Sequence, residues 1–285
     1  MKRGTFLSLV FCLVLLASAT THAEDSLKIG WNQKAIGNLN FSQSSFDNWV
    51  QGGENSWSWL ANFAARFTYK QEQWELENSG KIEYGQSKIG DVESKKSADE
   101  IFLETLLAHD LAASLQFYAA ANGRTQFADG FNYSTDPKVL ISRFMNPGYF
   151  TESAGLRYKP QENFSSRLGL GVKQTVVTEE LFAPIYTDEI GTTELEKLRN
   201  AFGLQSVSEY NLKLAENLSC ISSLDLFSNL KALDQIEVRW DNLIKADIVK
   251  YVAVSFSFQL FYDHKISPKR QLKQVLGVGL TYRLL

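Results

Sequence analysis

The chain alternates between apolar and polar side chains along most of its length. The alternation is most regular over residues 56–70, where the odd positions are aromatic or apolar and the even positions are mostly polar. Because successive side chains of a β-strand point to opposite faces, this period of two predicts a strand with one apolar face. The stretch is longer than the usual strand of about 5–6 residues. Its aromatic residues lie at both ends of the apolar face, a pattern typical of membrane-spanning strands.

The same alternation predicts twelve strands when prolines and polar clusters are taken as their ends. All five prolines then fall in loops or turns, where no ladder hydrogen bond is lost. A short helix is predicted around residues 193–198, in the loop before the eighth strand. The predicted strands are residues 36–46, 56–70, 74–85, 100–108, 114–127, 149–159, 164–177, 199–214, 218–227, 234–244, 249–262 and 271–285.

The connections between these strands mostly alternate between long and short. Long loops follow the odd-numbered strands, so an even-stranded antiparallel barrel would collect them at one rim, as outer-membrane barrels do. We therefore predict an all-β fold: a transmembrane antiparallel up-and-down β-barrel of about twelve strands, forming one domain over residues 24–285. A secreted sandwich or lipocalin-like barrel is the alternative, because periodicity alone does not tell which face is enclosed.

The N-terminus carries the signs of export. Met1-Lys2-Arg3 precedes an apolar run from Phe6 to Leu16, followed by small and polar residues, so residues 1–23 are predicted to be a cleaved signal peptide. The formal net charge of −3 becomes more negative when the leader removes two basic residues, which disfavours nucleic acid as a partner. Only Cys220 would remain among the cysteines, so no intramolecular disulfide is expected.

Charged residues on the polar faces of the strands are predicted to line the lumen of the barrel. Eight strands leave an interior that side chains fill, and 16–18 strands leave an aqueous channel, so twelve fall between. The charges either line a narrow, charge-selective pore or plug the lumen by pairing with each other, and we favour a plugged or very narrow lumen. The predicted lining residues are Arg66, Glu75, Glu77, Arg124, Arg167, Lys173, Glu237, Arg239 and Asp241.

Aromatic residues near the strand ends are expected to lie at the two membrane–water interfaces. Trp and Tyr are enriched at that depth because their rings are apolar and their N–H or O–H groups reach water. The predicted interface residues are Trp57, Trp59, Tyr69, Trp74, Tyr262 and Tyr282.

The loop Trp49–Asn55 has the most distinctive loop sequence. Gly52 and Gly53 supply backbone freedom for a sharp turn, and Asn55, after Glu54, can adopt a left-handed conformation. We interpret it as a hairpin loop with an aromatic anchor at Trp49. A surface ligand site is the alternative, because exposed loops often carry function.

No catalytic or metal-binding constellation is predicted. His109 and His264 are the only histidines after residue 23, and neither follows a serine motif or has metal-ligand spacing. The acidic pairs Glu75/Glu77 and Glu237/Asp241 lie on inward faces, where charges of both signs form salt-bridged ladders more often than acid–base pairs. We therefore expect no catalytic residue, no metal, no cofactor and no enzymatic activity.

Four stretches of the sequence are distinctive: Asn48-Trp49 with Gly52-Gly53-Glu54-Asn55, then Arg124–Gly130, Gly155-Leu156 through Tyr158-Lys159-Pro160, and Val275–Tyr282. Together they resemble an uncharacterised family of predicted outer-membrane barrels from the Bacteroidetes/Chlorobi group, the domain of unknown function 3078. The resemblance implies a Gram-negative outer-membrane location and brings no activity with it. One departure is the end Tyr282-Arg283-Leu284-Leu285, where such barrels commonly carry a terminal aromatic residue.

The functional hypothesis from sequence is a non-enzymatic, porin-like or transport-related barrel. A structural or surface-interaction barrel with a plugged lumen is the second hypothesis, and an outer-membrane lipid hydrolase is the third. The expected partners are the lipid bilayer of the outer membrane and, during biogenesis, the barrel-assembly machinery. The sequence identifies no ligand.

Overall fold

Twelve strands close into a single antiparallel barrel in the computed structural model, which describes residues 28–48, 50–187, 196–233 and 235–284. The predicted signal peptide and Trp49 lie outside these described residues. The barrel strands are β1 (Gly30–Ser44), β2 (Ser56–Lys70), β3 (Trp74–Ile89), β4 (Lys95–Ala112), β5 (Leu115–Thr125), β8 (Gly148–Gln161), β9 (Phe164–Val176), β10 (Leu198–Ala215), β11 (Leu218–Asn229), β12 (Ile236–Val249), β13 (Val252–Tyr262) and β14 (Gln271–Arg283). A separate hairpin consists of β6 (Gly130–Asn132) and β7 (Val139–Ser142).

Each barrel strand pairs with its neighbour in sequence, apart from two connections. β5 pairs with β8 across the β6–β7 hairpin, and β1 pairs with β14 to close the ring. The structure therefore confirms the predicted up-and-down barrel of twelve strands. The order around the ring also places β2 opposite β10, and β4 opposite β12.

Several predicted boundaries were wrong. The charged segment 86–98 is largely strand, because β3 and β4 continue their ladder until a tight turn at residues 90–94. Pro160 lies inside β8 rather than in a turn, at the register irregularity between Tyr158 and Gln161, where the ladder is already interrupted.

The helical segment was also misplaced. Of the predicted helix, residues 193–195 lie outside the described part of the chain, and Leu198 begins β10. The same loop instead holds a 3-10 turn, Glu180–Phe182, followed by a short helix, α1 (Ala183–Tyr186). Pro184 lies in the first turn of α1, where its missing N–H has no helical partner to lose.

The outer surface of the barrel is apolar. On β4, for example, Leu103 and Leu107 are exposed, while Glu104 between them is 8 % exposed and lies inside. The same alternation holds on β9, where Leu168 and Leu170 are exposed. Among the described residues, no helix has the length and apolar character needed to cross a membrane.

The two rims of the barrel differ. One rim carries the tight turns at residues 71–73, 113–114, 162–163, 216–217 and 250–251, and we call it the turn rim. The other, the loop rim, carries the described residues of the other six connections: 45–48 with 50–55, 90–94, 126–147, 177–187 with 196–197, 230–233 with 235, and 263–270. This sorting of loops by length agrees with the sequence pattern.

Candidate functional site: the charged lumen

The lumen is lined by charged side chains because the polar face of every strand turns inward. In an antiparallel ladder, directly paired residues share a face. Glu75 pairs with Lys70 on β2, and Glu83 pairs with Glu100 on β4, so these side chains all face the interior. The interior therefore collects charges that are far apart in the sequence.

Near the turn rim the lumen contains a buried cluster of charges. Glu75 is 1 % exposed and accepts hydrogen bonds from Lys159 at 2.9 and 3.0 Å and from Arg157 at 3.1 Å. Arg157, 3 % exposed, also lies 3.9 Å from the Glu77 carboxylate. Charges buried this deeply must be paired to be tolerated, so the cluster is a set of matched ions that narrows this end of the lumen.

At mid-height an ion pair crosses the full width of the lumen. Arg66 on β2 lies 3.5 Å from Glu209 on β10, the strand directly opposite, and 3.6 Å from Glu77. The Arg66 side chain is nevertheless 44 % exposed and that of Glu209 is 33 % exposed. Since both lie on inward faces, the lumen has room for water beside this pair.

A second, more compact pair lies beside this crossing. Arg167 on β9 and Glu104 on β4 form a bidentate ion pair, and both side chains are buried. The Arg167 guanidinium also stands 5.6 Å from the centroid of the Tyr118 ring, which is fully buried. The Arg167 and Glu104 side chains are therefore packed against the lumen wall, whereas the Arg66 and Glu209 side chains remain partly exposed.

Toward the loop rim, Glu100 is the centre of a second crossing. It lies 2.7 Å from Arg124 on the neighbouring strand and 2.9 Å from Arg239 on β12, which is directly opposite. Arg239 also contacts Asp241 at 3.0 Å. Two further pairs, Lys173–Glu237 and Lys273–Glu83, connect other walls at this level.

The sequence-predicted lining residues all lie on inward faces, and each has an ion-pair partner. Their part in solute passage stays a prediction. Eight further charged residues pair with them or lie beside them on inward faces, and these were not predicted from the sequence to line the lumen. The alternation on their strands could have identified them. The missed residues are Lys81, Glu83, Glu100, Glu104, Arg157, Lys159, Glu209 and Lys273.

The predicted interface aromatics lie near the two rims of the barrel. Trp57 and Trp59 are among the first four residues of β2, and Tyr262 is the last residue of β13, so all three lie near the loop rim. Near the turn rim, Tyr69 packs against Trp31, Trp74 packs against His109, and Tyr282 stacks on Tyr251. Their contact with lipid headgroups stays a prediction.

Two of the loop-rim loops are joined by one buried side chain. Asn146, 1 % exposed, accepts hydrogen bonds from the backbone N–H groups of Thr178 and Glu179 at 2.7 and 3.0 Å. It also donates to the Thr178 hydroxyl at 2.7 Å. Loop 126–147 is therefore fixed to the start of loop 177–197.

Further contacts strengthen this junction, and we call residues 126–147 together with residues 177–187 the loop cap. Arg143 donates hydrogen bonds to both Asp129 and Glu179, and these hydrogen bonds raise the pKa of Arg143. Tyr186 donates to the Ile141 carbonyl at 2.8 Å, and burial raises the pKa of its phenol. The cap is therefore an ordered structure and not a set of independent loops.

The loop motif at residues 49–55 behaves partly as predicted. Gly52 and Gly53 have positive φ angles of 85° and 147°. The left-handed asparagine is Asn48, with φ 52°, and not Asn55. The Asn55 side chain instead accepts a hydrogen bond from the Phe46 N–H at 2.7 Å, and Glu54 approaches Gly90 of the next loop.

The two histidines lie apart from each other and from the lumen cluster. His109 is near the end of β4, although the predicted strand ended at residue 108, and it packs edge-on against Trp74 with ring centroids 4.5 Å apart. His264 lies in loop 263–270, as predicted. Among the described residues, no group of three or more His, Cys, Asp or Glu side chains converges as metal ligands would.

Comparison with known families gives one match. Residues 41–131 match the family described as a protein of unknown function (DUF3078), which is under half of the chain. This segment contains the first two of the four resembling stretches. The chain is therefore similar to an uncharacterised family over β2–β6 and the end of β1. No curated protein matches the chain.

Solved structures with a similar architecture include three bacterial barrels. The translocator domain of the autotransporter NalP from Neisseria meningitidis is 11% identical, with 98% of this chain and 95% of that chain covered and a TM-score of 0.38. An outer-membrane channel from Pseudomonas putida F1 is 11% identical, with 93% and 99% covered and a TM-score of 0.39. The NanC porin is 6% identical, with 87% and 98% covered and a TM-score of 0.41. Similarity at this level does not extend beyond a barrel of antiparallel strands.

Proposed function

We propose that the protein is a porin-like, transport-related barrel of the outer membrane, with a lumen narrowed by ion pairs. The observation that carries this proposal is the Arg66–Glu209 pair, which joins opposite walls although both side chains remain partly exposed. A hydrated crossing of this kind restricts passage without sealing it. The solute would be small and polar, because the side chains along its path are charged.

The location follows from the barrel and from the leader. An apolar outer belt with an even number of antiparallel strands suits the bacterial outer membrane, and residues 1–23 would direct export before they are cleaved. Residues 24–285 would then form one domain, inserted by the barrel-assembly machinery. A Gram-negative organism of the Bacteroidetes/Chlorobi group fits the resembling stretches.

The lumen chemistry also bears on whether the protein is an enzyme. We propose that it has no catalytic role, because the inward acids are matched by Lys and Arg rather than held as acid–base pairs. Glu75 and Glu77, for example, share Arg157. A barrel with a permanently closed lumen is the second candidate, and the buried cluster at the turn rim is the observation that favours it.

Conductance in planar bilayers tests the pore. The wild-type barrel should give small single-channel steps. Glu209→Gln should raise their conductance by about two- to fivefold, because a partly exposed ion pair contributes about 0.2–1 kcal/mol to the constricted state. Lys138→Gln is the matched control, since it breaks the Lys138–Glu93 pair in the loops and leaves the lumen unchanged. Absence of steps from folded wild type and Glu209→Gln at every salt concentration would establish the closed-lumen barrel instead.

Ion selectivity should depend on the charge at the second crossing. Arg124→Gln removes one of the two guanidinium groups on Glu100 and leaves Arg239 in place. The local potential becomes more negative, so the reversal potential under a salt gradient should move toward that of a cation-selective pore. An unchanged reversal potential would show that ions do not pass beside Arg124.

A further inference from the structure

The barrel is closed by its shortest ladder. β1 pairs with β14 only over Ile36–Asn40 and Gly279–Arg283, whereas β1 pairs with β2 along its full length, Gly30–Ser44. On the turn side, one further bond, from the Leu284 N–H to the Ala35 carbonyl at 2.9 Å, extends the seam. The closure therefore lies toward the turn rim.

The loop-side half of this seam is unpaired within the described chain. Continuing the same register would place Phe41–Ser44 opposite Val275–Val278, yet no residues pair there. Both segments are regular strand, since their other edges are hydrogen-bonded to β2 and β13. A bare strand edge facing lipid costs several kcal/mol for each unsatisfied backbone group. The backbone groups on this half of the wall therefore need water within reach, because an alkyl chain offers them no hydrogen bond.

The gap lies at the depth of the loop-side aromatic residues. Phe41 pairs directly with Trp59, one of the predicted interface residues. The outward face of β14 beside the gap is apolar, with Leu276 73 % exposed and Val278 and Leu272 also exposed. An acyl chain in the adjoining leaflet would meet this face.

A cavity of about 210 Å³ lies at the loop-side ends of β12, β13 and β14, and its last residue on β14, Lys273, is two residues from the gap. It is lined by the polar side chains Arg239, Asp241, Gln259, Gln271 and Lys273 and by the apolar Leu260, Phe261 and Leu272. Asp241 holds the Arg239 guanidinium at the cavity wall, where Arg239 Nε donates to Asp241 Oδ2 at 3.0 Å. Lys273 reaches behind β1 and β2 to Glu83 on β3 at 2.9 Å, so this ion pair spans the inner side of the seam.

We propose that the unpaired half of the β1–β14 seam is a lateral portal for an anionic single-chain amphiphile. The headgroup binds Arg239 and Lys273 in the cavity, and the tail lies along Leu272, Leu276 and Val278. When Lys273 breaks its ion pair with Glu83, its ammonium group becomes available to bind the headgroup. The portal deepens the proposed transport function, since it names the class of solute and its exit into the lipid.

Cysteine cross-linking tests the geometry in nanodiscs, in a Cys220→Ser background. The pair Gln43→Cys/Leu276→Cys lies across the gap, and the matched control Leu39→Cys/Leu280→Cys lies on the same outward face within the paired register. The control should oxidise to a disulfide at least about tenfold faster, because only its side chains are held at cross-strand distance. Phe41→Cys/Val278→Cys is a second gap pair, should the first not fold. Equal oxidation rates for gap and control pairs would overturn the portal.

Photolabelling tests the ligand class. A diazirine-bearing dodecyl sulfate should label β14 and Phe261, and the double variant Arg239→Gln/Lys273→Gln should lower this labelling by about tenfold, since charge-assisted contacts are lost. Bridging Gln43→Cys/Leu276→Cys with a short bismaleimide should lower labelling of Phe261 likewise. Equal labelling by the matching dodecyl trimethylammonium probe would overturn the anionic class.

The portal and the pore fail independently of each other. A barrel that gives no conductance steps but retains the slow gap pair and the anion-selective labelling keeps the portal and loses the pore. A barrel that conducts but whose gap pair oxidises as fast as the control keeps the pore and loses the portal.

Discussion

Replacing Glu75 by glutamine should lower the free energy of unfolding by about 3 kcal/mol, because two buried cations lose the counter-ion that they share. Arg157 then keeps only Glu77, at 3.9 Å, and Lys159 keeps the more exposed Glu162. Arg157 and Lys159 both donate to this carboxylate, and both side chains are nearly inaccessible to solvent. A neutral amide keeps the shape but not the charge. Urea titration of the lipid-reconstituted barrel, followed by tryptophan fluorescence and by heat-modifiable gel migration, measures the loss.

The control for Glu75 is Glu162→Gln. Glu162 also contacts Lys159, at 2.9 Å, but it lies in the turn and its side chain is 31 % exposed. Its loss should change the unfolding free energy by less than about 1 kcal/mol. The double variant Glu75→Gln/Lys159→Gln should recover part of the stability, because it removes one of the two buried cations that lose Glu75. If the Glu75→Gln barrel is as stable as the Glu162→Gln barrel, the charge of Glu75 does not stabilise the buried cluster.

Replacing Gly169 by valine should destabilise the barrel by about 3 kcal/mol, because the added side chain overpacks the lumen wall. A Cβ atom at Gly169 would clash with the Ala154 carbonyl on β8 and would lie 2.6 Å from the Tyr118 hydroxyl. The backbone carbonyl cannot rotate away as a side chain can. The same urea titration gives the size of the effect.

A second glycine on the same strand supplies the contrast. A Cβ atom at Gly171 would meet the Glu152 carbonyl oxygen at 3.2 Å and the Ser153 Cβ at 3.4 Å, so it has nearly enough room. Gly171→Ala should change stability by less than about 1 kcal/mol and could raise it, because glycine weakens a strand through its backbone entropy. If both glycine variants unfold at the same urea concentration, the close approach at Gly169 is not what limits side-chain size.

Alternation predicted the barrel because one periodic signal repeats along every strand. It also placed charges such as Arg66 and Glu75 on the inward face. It did not identify their partners, since Arg66 meets Glu209 only after five intervening strands on either side have fixed the width of the ring. Partner choice depends on strand register, and register is a property of the closed barrel.

Other features lacked a periodic signal altogether. The first predicted strand includes Phe41–Ser44, and a period of two indicates the faces of a strand but not which of its edges is paired. Nothing in the sequence therefore shows that this segment is unpaired on one side. The misplaced helix has a similar cause, since α1 has four residues, too few to show a helical period. In the sequence, Gly169 is one more residue on the polar face of its strand. Only the structure shows that β8 approaches too closely there for a larger side chain.

The Asn146 junction has a consequence for recognition by other molecules. Because it joins loop 126–147 to the start of loop 177–197, the surface above the barrel is composed of segments distant in sequence. An antibody raised against the folded protein at this surface would recognise a conformational epitope. Peptides copied from either loop alone would therefore be poor immunogens for the native cap.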